Sequence, residues 1–234
     1  MKSAVFALKL LTFWERFDRR EASLQAVGGA IVYFFPLLGI ALGLVLVLLN
    51  RLLHPRLESE ILSVVLIAVL ALLTGANHFE SLQKTCNALS NEIKLGEKNG
   101  AWGIVVTVFV ILLKIRAIDV TGEARALGLL ATPMLARWSS LIFFYGTTSF
   151  AEGTAGIIAV NLRAWHFVLT TIVTLSLTAL LVGQPALWIG LFLSLLALLG
   201  RSYLRWRFGV IRWDHGSAII ELSETLSFIL FATL

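Results

Sequence analysis

The chain is 234 residues long, 58% hydrophobic and only 14% charged, with a mean hydropathy of +0.88. An ordinary soluble domain carries about 25% charged residues. A water-facing surface cannot hide so large an apolar fraction, so soluble globular, disordered and fibrous classes are excluded. What remains is an all-α polytopic membrane protein, residues 1–234 forming a single transmembrane domain. The net charge of +5 then speaks of orientation and lipid headgroups, not of nucleic acid. Cys86 is the single cysteine and has no internal partner for a disulfide.

Lys9 interrupts the first apolar run and no small-residue cleavage site follows, which argues against a cleaved signal. Phe6, Leu10, Phe13 and Phe17 share one helical stripe and Lys9, Arg16 and Arg20 another. Over residues 1–27 this fits a helix lying in the headgroup plane, or one that caps the bundle. Residues 31–49 follow as 19 uncharged positions, the length of a helical crossing. Further spans are expected at 61–76, 101–115, 128–145, 167–182, 186–200 and 218–234, seven in all, with Lys114 and Arg116 closing the third. Gly183-Gln184-Pro185 reads as a tight turn between two spans.

Loop charge sets the orientation. Residues 1–30, 77–100, 146–166 and 201–217 hold thirteen Lys and Arg, against four in the loops of the opposite side. The bias predicts a cytoplasmic N-terminus, cytoplasmic loops at 77–100 and 201–217, and an outside C-terminus.

Those two loops hold the polar clusters. If residues 77–87 are helical, Glu80, Lys84 and Asn87 lie on one face, with His78 half a turn ahead. This is either a ligand or metal face at the membrane surface or a solvated connector. Asp214 and Glu221 share a face two turns apart, and Glu224 lies a turn deeper inside the last span. Carboxylates within a span normally face a bundle interior with a partner, and Glu221 and Glu224, near one end of theirs, either do so or snorkel to the surface; Arg137 and Lys114 are the candidate cations. Walker loops, dinucleotide fingerprints, HExxH and CxxC pairs are absent. Carboxylates and amides at one cytoplasmic face suit Mg²⁺, a hard cation that also grips phosphate.

Four stretches together resemble the cobalamin synthase family, the adenosylcobinamide-GDP ribazoletransferases. Tyr33 through Gly43 is similar to the family's first span, and Thr74-Gly75 through Asn87 to its TGGxHxDGLADTxDG signature. Lys94-Leu95-Gly96 with the run to Lys114 resembles its RDSRxGxxG segment, and Asp214 to Leu222 its closing GDxxGAxxEL. Ala136-Arg137 sits where members carry a small residue and Arg. The resemblance implies an integral enzyme of the bacterial or archaeal plasma (inner) membrane whose site faces the cytoplasm. It implies a Mg²⁺-dependent transfer that joins adenosylcobinamide-GDP to α-ribazole or its phosphate and releases GMP. On this reading His78, Glu80 and Asp214 are catalytic, with His78 orienting phosphate or carrying a proton. Glu80, Asn87, Asp214 and Glu221 hold metal, and Lys94 and Arg137 contact phosphate. Arg137 has a second reading, an ion pair with Glu221. Lys114 reads as a structural ion-pair partner.

The chain departs from the pattern at the three signature Asp positions, which are Glu80, Lys84 and Asn87, and at two signature glycines, which are Ser81 and Ala88. In the third motif the Arg-Asp pair is Asn91-Glu92, and in the last motif Trp213 and Ser217 replace glycines. Three readings stay open: an active synthase, a catalytically impaired homologue that keeps the fold as a partner of pathway enzymes or of a second copy, and a small transporter subunit.

Overall fold

The computed structural model describes residues 31–92, 101–147, 150 and 162–233. The expected N-terminal helix over 1–27 and Lys94 lie outside the described residues. Helix α1 spans Ile31–Leu53, α2 Ser59–Leu73, α3 Asn77–Glu92 and α4 Ala101–Val120. A 3₁₀ turn at Gly122–Ala124 leads into α5, Arg125–Phe144, followed by α6, Ala164–Val182, α7, Pro185–Phe208, and α8, Trp213–Phe231.

Outward faces of α4, α6 and α7 show why this is a membrane bundle. Val105, Val108, Phe109 and Leu112 on α4, Ile172 and Val173 on α6, and Leu187 and Leu191 on α7 are all exposed. Apolar side chains presented outward along three helices have lipid, not water, as their natural neighbour. Helices α1, α4, α6, α7 and the 3₁₀–α5 segment are each long and apolar enough to cross a membrane.

The second expected span is different. Helix α2 has 15 residues, a rise of about 22 Å against a hydrocarbon core of about 30 Å. It does not run on to residue 76. The chain turns through left-handed backbone at Gly75 (φ 61°) and Ala76 (φ 56°), and α3 departs at 87° to α2. The bent pair together makes a sixth candidate crossing, so five or six stand where seven were expected, and α8, over the expected 218–234 span, is not among them. The third span also runs further than expected: Lys114 does not close α4 but is buried within it. Residues 77–92 and 201–208, expected as loop, belong to helices α3 and α7. The turn at 183–185 is where it was expected, with Gly183 at φ 75° between α6 and α7.

The bundle is organised around α5, buried on nearly every side. Close approach of α1 comes from glycine: a Cβ on Gly39 would overlap the Met134 backbone and the Pro133 carbonyl, and one on Gly43 the Leu130 backbone. This is the small-xxx-small contact of membrane helices. An alanine in a helix interior normally gains up to about 1 kcal/mol over glycine. Gly39→Ala is instead expected to cost about 1–3 kcal/mol through overpacking, read as a lower melting temperature in detergent. An unchanged or raised value contradicts the α1–α5 contact.

Hydroxyls fasten α5 to its other neighbours. Thr132 shares a hydrogen bond with Ser227 at 3.0 Å, Ser139 donates to Ser223 at 2.7 Å, and the Trp138 indole donates to Thr171 at 3.1 Å. Arg125 donates to Ser59 Oγ at 2.7 Å and Ser63 Oγ at 3.1 Å, tying α5 to α2. Arg201 donates to the Tyr145 and Ile142 carbonyls, closing the C-terminal end of α5.

Candidate functional site

Helix α3 lies against α4 and α8. Leu82, Val110 and Ala218 form the apolar floor between them, with Phe79, Cys86, Val106 and Leu222 packed against it. The periodicity of α3 divides its polar residues into two faces. His78, Ser81 and Thr85 point inward and are buried. Glu80 and Lys84 lie on the other side, with side chains 44% and 56% exposed.

On the inward side Ser81 Oγ donates to Asp214 Oδ1 at 3.1 Å. This bond joins the two polar clusters, 133 positions apart in sequence, into one seam. Asp214 sits in the first turn of α8, where a carboxylate is favoured by the positive end of the helix dipole. Next to it His215 is buried ahead of the apolar stretch that starts at Ala218, and burial pushes its imidazole down to about 4, with Arg212 adding to the effect and Asp214 opposing it. The neutral ring lets Nδ1 accept the Arg212 N–H at 3.3 Å, which fixes the entry of α8.

Deeper in the bundle lies a charge network. Lys114 of α4 donates to Glu221 and, at 2.7 Å, to Glu224 Oε2, both on α8. Arg137 of α5 donates to Glu224 Oε1 at 3.0 Å and to the Pro133 carbonyl at 2.8 Å. All four side chains are buried. Their two positive and two negative formal charges cancel, the condition under which ions are tolerated away from water. The Phe79 ring adds its face to Lys114, 5.2 Å from the ammonium. Both ring nitrogens of His78, Arg137 Nε and Nη2, and Thr85 Oγ1 are buried without a hydrogen-bond partner among the described residues.

The expected roles divide accordingly. Arg137 does pair with a buried carboxylate, but with Glu224 in place of Glu221, which belongs to Lys114. Lys114 is the structural ion-pair partner it was read to be. Each of the four expected metal ligands has a partner of its own. Glu80 Oε1 is 2.9 Å from the Lys84 ammonium. Asn87 Oδ1 accepts the Gly103 N–H at 2.7 Å, Asp214 accepts from Ser81 and Glu221 from Lys114. Among the described residues no group of three His, Cys, Asp or Glu side chains has the arrangement of a metal site. A divalent cation that prefers hard anionic oxygens does not fit this set.

Sequence reasoning missed the role of Asn87, an N-terminal cap for α4 supplied from another helix. Asn87→Ala is expected to cost about 1 kcal/mol, as loss of a cap does, with faster amide exchange confined to the first turn of α4. Unchanged exchange there contradicts the cap. The sequence signal was present, since an amide in a polar stripe beside a helix start is a capping residue as readily as a metal ligand.

Comparison with known proteins bears on what this seam is for. The chain matches cobalamin-5-phosphate synthase over residues 3–232. It is 30% identical over 214 residues to an adenosylcobinamide-GDP ribazoletransferase of Geotalea daltonii, covering 85% of this chain and 84% of that protein. It is 29% identical to the protein of that name from Thermoanaerobacter sp. strain X514, covering 87% and 86%. It is 30% identical to that of Pseudomonas entomophila, covering 84% of each. No solved structure matches it. A match over almost the entire length, reaching both halves of the Ser81–Asp214 seam, means that the chain belongs to the cobalamin-5-phosphate synthase family.

Proposed function

We propose that this chain is a membrane-embedded transferase that moves the adenosylcobinamide-phosphate group of adenosylcobinamide-GDP onto α-ribazole or its 5′-phosphate, the final step of nucleotide-loop assembly. The observation that carries this reading is the Ser81–Asp214 contact, which gathers the two family-like polar segments at one place.

In the reaction a ribazole hydroxyl oxygen bonds to the phosphorus attached to cobinamide. The bond from that phosphorus to the bridging oxygen breaks, and GMP leaves with the electron pair. Asp214 is the group assigned to take the hydroxyl proton. It is partly exposed, and the Ser81 hydroxyl holds one of its oxygens in place. Positioning of this kind, together with proton transfer, supplies much of phosphoryl-transfer catalysis. Glu80 orients Lys84 through their ion pair. His78 and the unpartnered Arg137 nitrogens are the donors assigned to substrate oxygens at the inner end of the seam. Glu80, Glu221 and Glu224 already neutralise Lys84, Lys114 and Arg137, so the residues present do not make a site for Mg²⁺. The thirteen-to-four loop charge bias supports a site facing the cytoplasm of a bacterial or archaeal cell.

The test is conversion by membranes containing the full chain, given adenosylcobinamide-GDP and α-ribazole with and without Mg²⁺, cobalamin being read by mass spectrometry. Product above an empty-vector control is expected. A null result with both ribazole forms ends the enzyme reading and leaves the chain as a partner protein that keeps the fold.

A further inference from the structure

We propose that Lys84 stands in for a resident divalent cation, its ammonium supplying the positive charge that meets the substrate's diphosphate. The argument begins with the face of α3 that carries Glu80, Lys84 and Asn87. Its formal charge is zero, with one carboxylate, one ammonium and one neutral amide. A divalent ion there would gain no net attraction from the face and would meet an ammonium already 2.9 Å from Glu80 Oε1. The Asn87 amide oxygen already accepts the Gly103 N–H.

The remaining carboxylates already accept donors of their own. Asp214 accepts from Ser81, Glu221 from Lys114, and Glu224 from both Lys114 and Arg137. Of the described cations around the seam, Lys114 is fully buried between its two carboxylates and Arg137 is buried at the inner end, whereas the Lys84 side chain is 56% exposed. Lys84 is thus within reach of a ligand arriving at the surface of α3. Its three N–H donors make it a point-charge contact for phosphate oxygens. Glu80, one turn back, steers the ammonium. The chemical class this face takes is a diphosphate bound without a protein-held metal. The diphosphate half of the inference rests on the transferase reading; the exclusion of a divalent ion does not.

Two measurements on the full chain in detergent separate the halves. Mn²⁺ binding, followed by electron paramagnetic resonance, compares the natural chain with Lys84→Asp combined with Asn87→Asp. The double variant is expected to bind one equivalent at least about tenfold more tightly, because site affinity follows ligand charge. The proposal is overturned if the natural chain binds one equivalent as tightly and loses it in Glu80→Gln, or if the double variant binds no better. Inorganic pyrophosphate binding in EDTA is the second measurement, with Lys84→Gln expected to weaken it about tenfold. Unchanged binding overturns the role of Lys84. Helical circular dichroism controls for folding, which a half-exposed side chain leaves intact. A failed cobalamin assay beside a positive Mn²⁺ result would count against the transferase reading alone.

Discussion

Lys114→Met is expected to destabilise the bundle by about 3–5 kcal/mol, the cost of removing one partner from a buried ion pair. Among the described residues Lys114 is the sole ion-pair partner of Glu221, and it shares Glu224 with Arg137. Without it one carboxylate remains in the bundle interior with no cation. The loss arises from that orphaned charge more than from the bond itself. Lys114→Met combined with Glu221→Gln should therefore recover most of it, since the Arg137–Glu224 pair then stands alone and neutral. Unfolding of the detergent-purified chain reads both variants. A single-variant loss of under about 1 kcal/mol, the range of exposed pairs, would mean that water reaches the network.

Asp214→Asn is expected to lower the transfer rate by about 10²- to 10⁴-fold, the span of general acid–base contributions, with little change in melting temperature. The asparagine oxygen still accepts the Ser81 hydroxyl, so the seam survives and only the proton acceptor is lost. Ser81→Ala keeps the charge and loses the alignment, and should fall less steeply. A rate near that of the natural chain in Asp214→Asn, measured at saturating substrate, would show that Asp214 takes no proton.

Much of the fold was legible because lipid imposes a simple rule: 19 uncharged residues from 31 to 49 have few alternatives to a spanning helix. The break after Leu73 was not read, although Gly75 marked it. Hydropathy continues smoothly through Thr74-Gly75-Ala76, and only the left-handed backbone at 75 and 76 reveals the bend. The face shared by Glu80, Lys84 and Asn87 was legible from spacing alone. Its chemistry was not, because spacing cannot say that Asn87 reaches Gly103 on another helix. Lys114 and Arg137 were recognised as cations needing carboxylates. Which carboxylate each takes depends on the relative rotation of α4, α5 and α8, a tertiary quantity with no local signature. The anchoring of Arg125 on Ser59 and Ser63 was missed for the same reason.

Cysteines introduced as Ser81→Cys and Asp214→Cys, in a chain whose only native cysteine is removed by Cys86→Ser, probe the seam in intact membranes. Side-chain atoms at these positions are 3.1 Å apart, so mild oxidation or a short thiol-bridging reagent should link α3 to α8 within one chain and shift its electrophoretic mobility. If each single cysteine reacts with maleimide but the pair never links, the two polar segments do not meet, and the proposed site does not exist.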